Sequence, residues 1–181
     1  MSPAIPTLCT PRLTLRALTA TDLDRFAAFN ANADVTRYLG AGTTRTRAET
    51  WSAMTSMLGQ WALRGYGMLA ITERGSDLFI GRAGLLHPYE WPEPELAYGL
   101  DQPYWGHGYA TEAAAALRTW MFETHAPPRL ISYVRPGNTA STSVLRKLGA
   151  TRGDDVDMMG QPAELWVHTK PGKQGSAGQG P

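Results

Sequence analysis

The stretch Glu95-Leu-Ala-Tyr-Gly-Leu-Asp-Gln-Pro-Tyr-Trp-Gly-His-Gly-Tyr-Ala-Thr-Glu-Ala113 decides how the chain folds. Its first part, 95–100, predicts a strand, and residues 109–123 repeat apolar side chains at helical spacing. Gly106 and Gly108 lie in the turn between them. Small glycines let backbone N–H groups point into one cavity, and the first turn of a helix adds free donors and a positive dipole end. The stretch therefore predicts a strand-turn-helix unit suited to bind a pyrophosphate.

Two glycines in a turn are weak evidence by themselves, because most such pairs are simply turns. The neighbouring residues argue against two other phosphate sites. A Walker P-loop ends in Gly-Lys-Ser or Gly-Lys-Thr, where this chain has Tyr109 and Ala110. The dinucleotide fingerprint requires a third glycine or alanine where Thr111 stands, and an early position in the chain. An unrelated nucleotide-binding site therefore fits poorly.

The elements before this unit begin with a strand and two helices. Alternating apolar and polar residues predict the first strand over 12–18. Two capping boxes, Thr19 with Asp22 and Thr46 with Glu49, predict where the helices begin. The second helix carries one apolar stripe that is expected to pack in the core: Trp51, Met54, Leu58 and Trp61.

The other elements complete a mixed sheet. A hairpin is predicted over 67–73 and 78–86, and a later helix begins at the cap Asn138 and ends at Gly149. The remaining predicted strands are 130–134, 151–159 and 164–169. This order of elements predicts an α/β (α+β) fold, in which one mixed sheet carries helices on both faces.

Composition and charge limit the function classes. A chain of 181 residues with 43% hydrophobic content suits one domain over 1–169, and the tail 170–181, without large apolar side chains, is expected to be disordered. A net charge of +1 gives no global attraction to nucleic acid or to a membrane. The absence of a signal peptide and the single Cys9 favour a cytoplasmic location. The four histidines lack metal-ligand spacing, so no metal is expected.

The segment from Tyr104 to Ala113, Tyr-Trp-Gly-His-Gly-Tyr-Ala-Thr-Glu-Ala, resembles the coenzyme A motif of GNAT acetyltransferases. It is most similar to the branch of ribosomal-protein N-terminal acetyltransferases, and the segments 10–16, 79–85 and 138–149 match that branch in the correct order. The resemblance implies a GNAT fold, with a mostly antiparallel sheet of about seven strands. It also implies acetyl-CoA as co-substrate.

The resemblance implies a set of cofactor-binding residues. Backbone groups of Tyr98, Gly99 and Leu100 are expected to bind the pantetheine arm. Pro103 stands where the family usually has glutamine or arginine, and we expect this to tune binding, since the phosphate contacts are mainly to backbone. The expected pyrophosphate cradle is Trp105, Gly106, His107, Gly108, Tyr109 and Ala110.

Three residues are implied for catalysis and for holding the thioester. Glu95 corresponds to a glutamate that removes the amine proton, often through water; the alternative is a solvated carboxylate at the end of a strand. Leu145 stands where many members have a catalytic tyrosine, so Ser141 is expected to donate to the departing sulfur. Asn138 is expected to bind pantetheine or a structural water. The alternative for Asn138 and Ser141 is helix capping.

The acceptor is the least determined feature. The proline-rich loop 87–94 either presents an aromatic and acidic wall to a cationic amine or is an ordinary surface loop. The acceptor itself is expected to be a small-molecule or peptide amine, and the chain a monomer or homodimer. The loop residues concerned are Tyr89, Glu90, Trp91 and Glu93.

Two hypotheses for function follow. The first is an N-acetyltransferase that transfers the acetyl group directly to a protein N-terminus or a small amine in a ternary complex. The alternative is a non-catalytic module that binds acyl-CoA as a sensor or docks a partner. The presence of Glu95, Asn138 and Ser141 beside an intact glycine turn favours the enzyme.

Overall fold

The structure, a computed structural model, describes residues 4–158 and 160–170. The expectation of a disordered tail therefore lies, for 171–181, outside the described residues. The strands are β1 (Leu8–Cys9), β2 (Leu13–Arg16), β3 (Met68–Glu73), β4 (Gly81–Leu86), β5 (Glu95–Leu100), β6 (Leu130–Val134), β7 (Thr151–Met158) and β8 (Gln161–His168). The helices are α1 (Leu23–Ala31), α2 (Ala33–Thr36), α3 (Arg47–Arg64), α4 (Tyr109–Thr124) and α5 (Thr139–Lys147).

All eight strands belong to one sheet, in the order β1-β2-β3-β4-β5-β6-β8-β7. Every neighbouring pair is antiparallel except β5 and β6, which are parallel. The predicted mixed, mostly antiparallel sheet is confirmed. It has eight strands where about seven were expected, because the two-residue strand β1 is too short to show an alternating pattern.

Helices cover both faces of the sheet, as predicted. Neighbouring residues of a strand point to opposite faces. Leu69 and Ile71 pack in a cluster with Leu117 of α4, whereas Ala70 between them packs in a second cluster with Phe26 of α1. The sheet is therefore the middle layer of the molecule. None of the helices within the described ranges is long and apolar enough to cross a membrane.

Both predicted capping boxes are present. The Thr46 hydroxyl accepts from the Glu49 N–H at the start of α3, and Gly65 ends that helix with a φ of 75°. The stripe prediction was wrong for Trp51, which is 46% exposed, while Met54 and Trp61 are buried. The first turn of α3 is held by the exposed ion pair of Arg47 with Asp24, beyond the apolar cluster. Leu58 is partly buried.

Candidate active site

Strands β5 and β6 separate soon after they begin. Glu95 and Ile131 are their only register pair, and the Ile131 N–H donates to the Pro94 carbonyl at 3.3 Å. One residue further on, the Ser132 hydroxyl donates to the Leu96 carbonyl at 2.6 Å. The Ser132 side chain thus bonds to the Leu96 carbonyl, which a backbone N–H of β6 would bond to if the two strands stayed paired. Beyond this point the edge of β5 is open to an extended ligand at the backbone groups of Tyr98 and at the Leu100 N–H, while the Leu100 carbonyl accepts from the Trp105 indole N–H at 2.7 Å.

A cavity of about 650 Å³ lies at this opening. It is bordered by the end of β5, the glycine turn, one side of α5 and the segment around α2. The predicted cofactor residues among its lining are Tyr98, Gly99, Leu100, Trp105, Gly106, Gly108, Tyr109, Ala110, Asn138 and Ser141. His107 does not line it; the His107 carbonyl instead accepts from Arg12 Nη1 at 2.8 Å.

The glycine turn has the backbone conformation of an anion site. Gly106 and Gly108 both have φ of 79°, a region that side chains disfavour. Gly108 is the N-cap of α4, and no side chain caps the helix there. The free N–H groups of the first turn are therefore left for a ligand at the positive end of a 16-residue helix.

Two residues hold the turn in place. The Arg12 guanidinium pairs with Glu112 of α4, with Nε to Oε2 at 2.7 Å, and also donates to the turn at His107. The other Glu112 oxygen accepts from the Thr10 hydroxyl at 2.6 Å and from the Arg12 N–H at 2.9 Å. Partial burial opposes ionisation of Glu112, but the hydrogen bonds from Thr10 and Arg12 and the charge of Arg12 outweigh it and hold the pKa of Glu112 below the ordinary value.

Replacing Glu112 with glutamine should loosen the turn and weaken cofactor binding. We expect the KM for acetyl-CoA to rise about fivefold, roughly 1 kcal/mol, with little change in kcat. The measurement is a steady-state titration of acetyl-CoA. Glu123→Gln, an exposed change on the same helix, is the control. An unchanged KM would show that the ion pair does not position the turn.

Ser141 and Tyr98 form a pair of hydroxyl groups at the open edge. Their oxygens are 3.0 Å apart. Burial raises the pKa of Tyr98 to about 12, although its hydrogen bond with Ser141 acts in the opposite direction. Asn138 is the N-cap of α5 and accepts from the Ser141 N–H at 3.1 Å. The Asn138 side chain thus caps helix α5, which was the alternative to its predicted role in binding pantetheine. The Ser141 hydroxyl faces Tyr98.

Glu95 is buried rather than solvated, at 7% exposure. Its Oε1 accepts from the Tyr133 N–H at 3.2 Å. Burial raises the pKa of Glu95 to about 7, and the Tyr133 N–H and the positive charge of Arg82 oppose that rise only in part. Glu95 and Tyr98 are three residues apart on β5, so they point to opposite faces of the sheet. The Tyr98 side thus lines the cavity, whereas Glu95 lies on the other face where the strands begin to separate and is not among the lining residues.

The predicted acceptor loop does not line the cavity. Tyr89 is 95% exposed, Glu90 is exposed, and Glu93 forms an ion pair with Arg129 at 3.2 Å. Trp91 approaches Tyr133, because its ring packs edge-on against that side chain, 5.3 Å between centroids. Tyr133 is the residue whose N–H holds Glu95. The acidic wall remains a prediction, and the loop does not bring its four residues together.

Sequence reasoning missed the segment that covers the opening. Arg37, Tyr38 and Leu39 line the cavity, and the Tyr38 hydroxyl donates across it to the Gly137 carbonyl at 3.3 Å. They follow α2, a four-residue helix too short for a periodic pattern. Its one sequence signal is the cap Asn32, which accepts from the Asp34 N–H. Lys147, at the end of α5, also lines the cavity.

Comparisons with known proteins agree with this geometry. Residues 12–151 match the family model described as acetyltransferase (GNAT) domain. An uncharacterized N-acetyltransferase, p20 of Bacillus licheniformis, is 31% identical over 144 residues, 78% of this chain and 80% of that protein.

Solved structures have the same fold. The acetyltransferase from Agrobacterium tumefaciens has a TM-score of 0.82 and 35% identity, covering 93% of this chain and 98% of that chain. RimL, a ribosomal alpha-N-protein acetyltransferase in complex with coenzyme A, has a TM-score of 0.76 at 18% identity, covering 91% and 98%. Given the family match and the relative of 31% identity, this chain belongs to the GNAT family of acetyl-CoA-dependent acetyltransferases.

Proposed function

We propose that the protein transfers the acetyl group of acetyl-CoA directly to a primary amine, of a protein N-terminus or a small molecule, held beside it in one ternary complex. The placement of Glu95 and of the Ser141–Tyr98 pair on opposite sides of one strand opening carries this proposal. Such an arrangement provides a proton acceptor and a hydrogen-bond donor on either side of a reacting thioester.

The cavity fits coenzyme A in size and in donor groups. Its volume of about 650 Å³ is in the range of small-molecule sites. Tyr98 and the Leu100 N–H offer backbone groups along the open edge, whereas the backbone groups of Gly99 face its register partner Arg82 on β4. The turn 105–110 offers N–H donors to the pyrophosphate. Acetyl-CoA supplies an acetyl group activated as a thioester.

Glu95 acts as the base. With a pKa near 7, the carboxyl is largely ionised in mildly alkaline solution and still basic enough to take the proton of an ammonium, directly or through water. The amine lone pair then attacks the acetyl carbon. A C–N bond forms and the C–S bond breaks. Of the two protons that the ammonium loses, the first ends on Glu95, and the second, released from nitrogen as the amide forms, passes to the departing sulfur and gives the free thiol.

Ser141 stabilises the sulfur that departs with the electron pair of the C–S bond. Tyr98 keeps its proton at all ordinary pH values. In the proposed arrangement the Tyr98 hydroxyl is the donor in its pair with Ser141 Oγ, which leaves the serine O–H free for the sulfur. Tyr98 therefore positions Ser141 through its side chain. From the sequence, a role was expected only for the Tyr98 backbone, in binding pantetheine.

The test is release of free thiol from acetyl-CoA over a panel of N-terminal peptides, polyamines, amino acids and aminoglycosides. We expect turnover with at least one class, and a fall of about tenfold in kcat for Ser141→Ala, about 1.4 kcal/mol of transition-state stabilisation. Ser56→Ala, an exposed serine on α3, is the matched control.

Calorimetry of acetyl-CoA binding accompanies the assay. Tight binding without turnover on any amine would favour the acyl-CoA sensor instead. Turnover that Ser141→Ala leaves unchanged would remove the serine from the mechanism while keeping the enzyme.

A further inference from the structure

Arg82 lies on the same face of the sheet as Glu95. On β4 it is in register with Ala70 of β3 and Gly99 of β5, two residues with little or no side chain. Leu86, four residues further along β4, is in register with Glu95, and residues an even number apart share a face. The guanidinium thus has no bulky neighbour beside it within the sheet.

Arg82 is an arginine with a buried nitrogen that lacks a protein partner within the described residues. Its Nε is buried and has no hydrogen-bond partner among residues 4–158 and 160–170. The pKa of Arg82 is lowered to about 10, mainly by burial and also by the nearby charge of Arg45, and the charge of Glu95 opposes this. Burying Nε without an acceptor is unfavourable, because that N–H has lost water without gaining a hydrogen bond, while the Arg82 side chain as a whole is only partly buried.

Two other arginines are paired with carboxylates, whereas Arg118 and Arg135, like Arg82, each have a buried Nε without a partner among the described residues. Arg16 forms two hydrogen bonds to the Asp22 carboxylate, each 2.8 Å long. Arg12 pairs with Glu112 in the same way, beside the glycine turn. Arg82 differs from both, since its nearest carboxylate, Glu95, does not form a hydrogen bond or an ion pair with it.

Arg82 is not among the residues that line the cavity, but its register partner Gly99 is. Gly99 lines the cavity, and a Cβ there would meet Leu39 at 3.1 Å and Phe29 at 3.2 Å. The segment after α2, which covers the opening, thus packs against β5 at Gly99, beside Arg82. Along β5, four residues separate Gly99 from Glu95, about 13 Å between their levels. The long side chains of Arg82 and Glu95 thus stand on one face of the sheet, at the two ends of that interval.

We propose that the acceptor amine carries a carboxylate, which binds Arg82 with Arg45 close by while the amine meets Glu95; the acceptor class is an amino acid or a similar amino carboxylate. This inference rests on the proposed function. The planar guanidinium offers two parallel N–H donors that match a carboxylate. Once Glu95 takes up a proton, two cations face the ligand without a protein anion, and a substrate carboxylate restores the balance.

The test compares acceptors that differ only in this group. The kcat/KM of the wild-type protein is measured for amino acids and for the corresponding amides, which keep the amine and lose the negative charge. We expect a preference of at least about tenfold for the carboxylates. Arg82→Gln is expected to abolish the preference, mainly through a higher KM for the carboxylate. Arg25→Gln, an exposed arginine on α1, should preserve it.

Circular dichroism should show Arg82→Gln folded, since it removes a cation that lacks a partner, and calorimetry should show unchanged affinity for acetyl-CoA. Equal rates on acids and amides in the wild type would overturn the proposal. An equal loss on both in Arg82→Gln would overturn it as well, because Arg82 would then serve only Glu95.

The failure of this inference is distinguishable from failure of the proposed function. If no amine on the panel is acetylated, the proposed function fails. Amino acid binding is then measured by calorimetry in the presence of coenzyme A, for wild type and Arg82→Gln. Binding that requires Arg82 would support the carboxylate site, and its absence in both proteins would overturn it.

Discussion

Replacing Glu95 with glutamine is expected to lower kcat/KM at pH 8 by about 100-fold or more, the usual contribution of a general base. The amide has nearly the size of the carboxyl and still accepts from the Tyr133 N–H, so the change removes basicity and little else. Thiol release with the preferred acceptor measures the effect. Glu123→Gln, a carboxylate-to-amide change at an exposed position, should retain full activity.

The pH dependence identifies the group responsible. Because burial raises the pKa of Glu95 to about 7, wild-type kcat/KM should rise about tenfold per pH unit below 7. Measuring both proteins with one acceptor cancels ionisation of the amine in their ratio. That ratio should level off above pH 7. A variant that retains half of the wild-type activity, or a ratio independent of pH, would contradict the assignment.

The same substitution should stabilise the protein in alkaline solution. Glu95 has a folded pKa of about 7 against an ordinary 4.5, so the folded state binds this proton more tightly than the unfolded state does. Folding therefore loses stability as pH rises from 4.5 through 7, by up to about 3 kcal/mol. Glutamine has no charge to desolvate. Urea unfolding should show Glu95→Gln more stable than wild type at pH 8, with the advantage gone near pH 4.5.

Local sequence signals predicted most elements of the fold. The strand β5 has the predicted bounds, 95–100, because prolines precede it and a polar turn follows. The helix α3 begins after its capping box and ends at Gly65 as expected. By contrast, β1 contains two residues and α2 contains four. Segments this short do not distinguish the alternation of a strand from the spacing of a helix. Their formation depends on tertiary neighbours.

The same division holds within the site. The glycine turn was predictable because its anion-binding groups lie within one short stretch of chain. The contact of Tyr98 with Ser141 joins residues 43 apart in sequence and depends on how α5 packs against the sheet. The environment of Arg82 depends on strand register, which places Gly99 beside it. Single-sequence patterns do not contain those pairings.

His168 is the second group whose titration should strongly affect the protein. It is 3% exposed at the end of β8, and its Nε2 lies 2.9 Å from the Ser132 hydroxyl. Because that hydroxyl donates to the Leu96 carbonyl, Nε2 carries the hydrogen and Nδ1 is the bare nitrogen. Nδ1 is buried and has no partner in the described part of the chain. A proton there has no acceptor to receive it.

Acid should therefore destabilise the fold through His168. Burial, with the nearby charge of Arg118, lowers the pKa of His168 from 6.5 to about 4. Between these values the unfolded state binds a proton that the folded state excludes, so stability falls as pH drops from 6.5 to 4. The loss is about 3 kcal/mol. It is largest at and below pH 4 and absent above pH 7.

Urea unfolding of wild type and His168→Gln from pH 7.5 to 4 measures this loss. Glutamine retains an N–H for Ser132 but cannot be protonated, so the free energy of unfolding of the variant should fall by about 3 kcal/mol less over that range. Carboxylates contribute equally to both proteins and cancel. His107→Gln removes an exposed histidine and should follow the wild type. Parallel curves for wild type and His168→Gln would mean that the folded state accommodates a charged imidazole where the strands part.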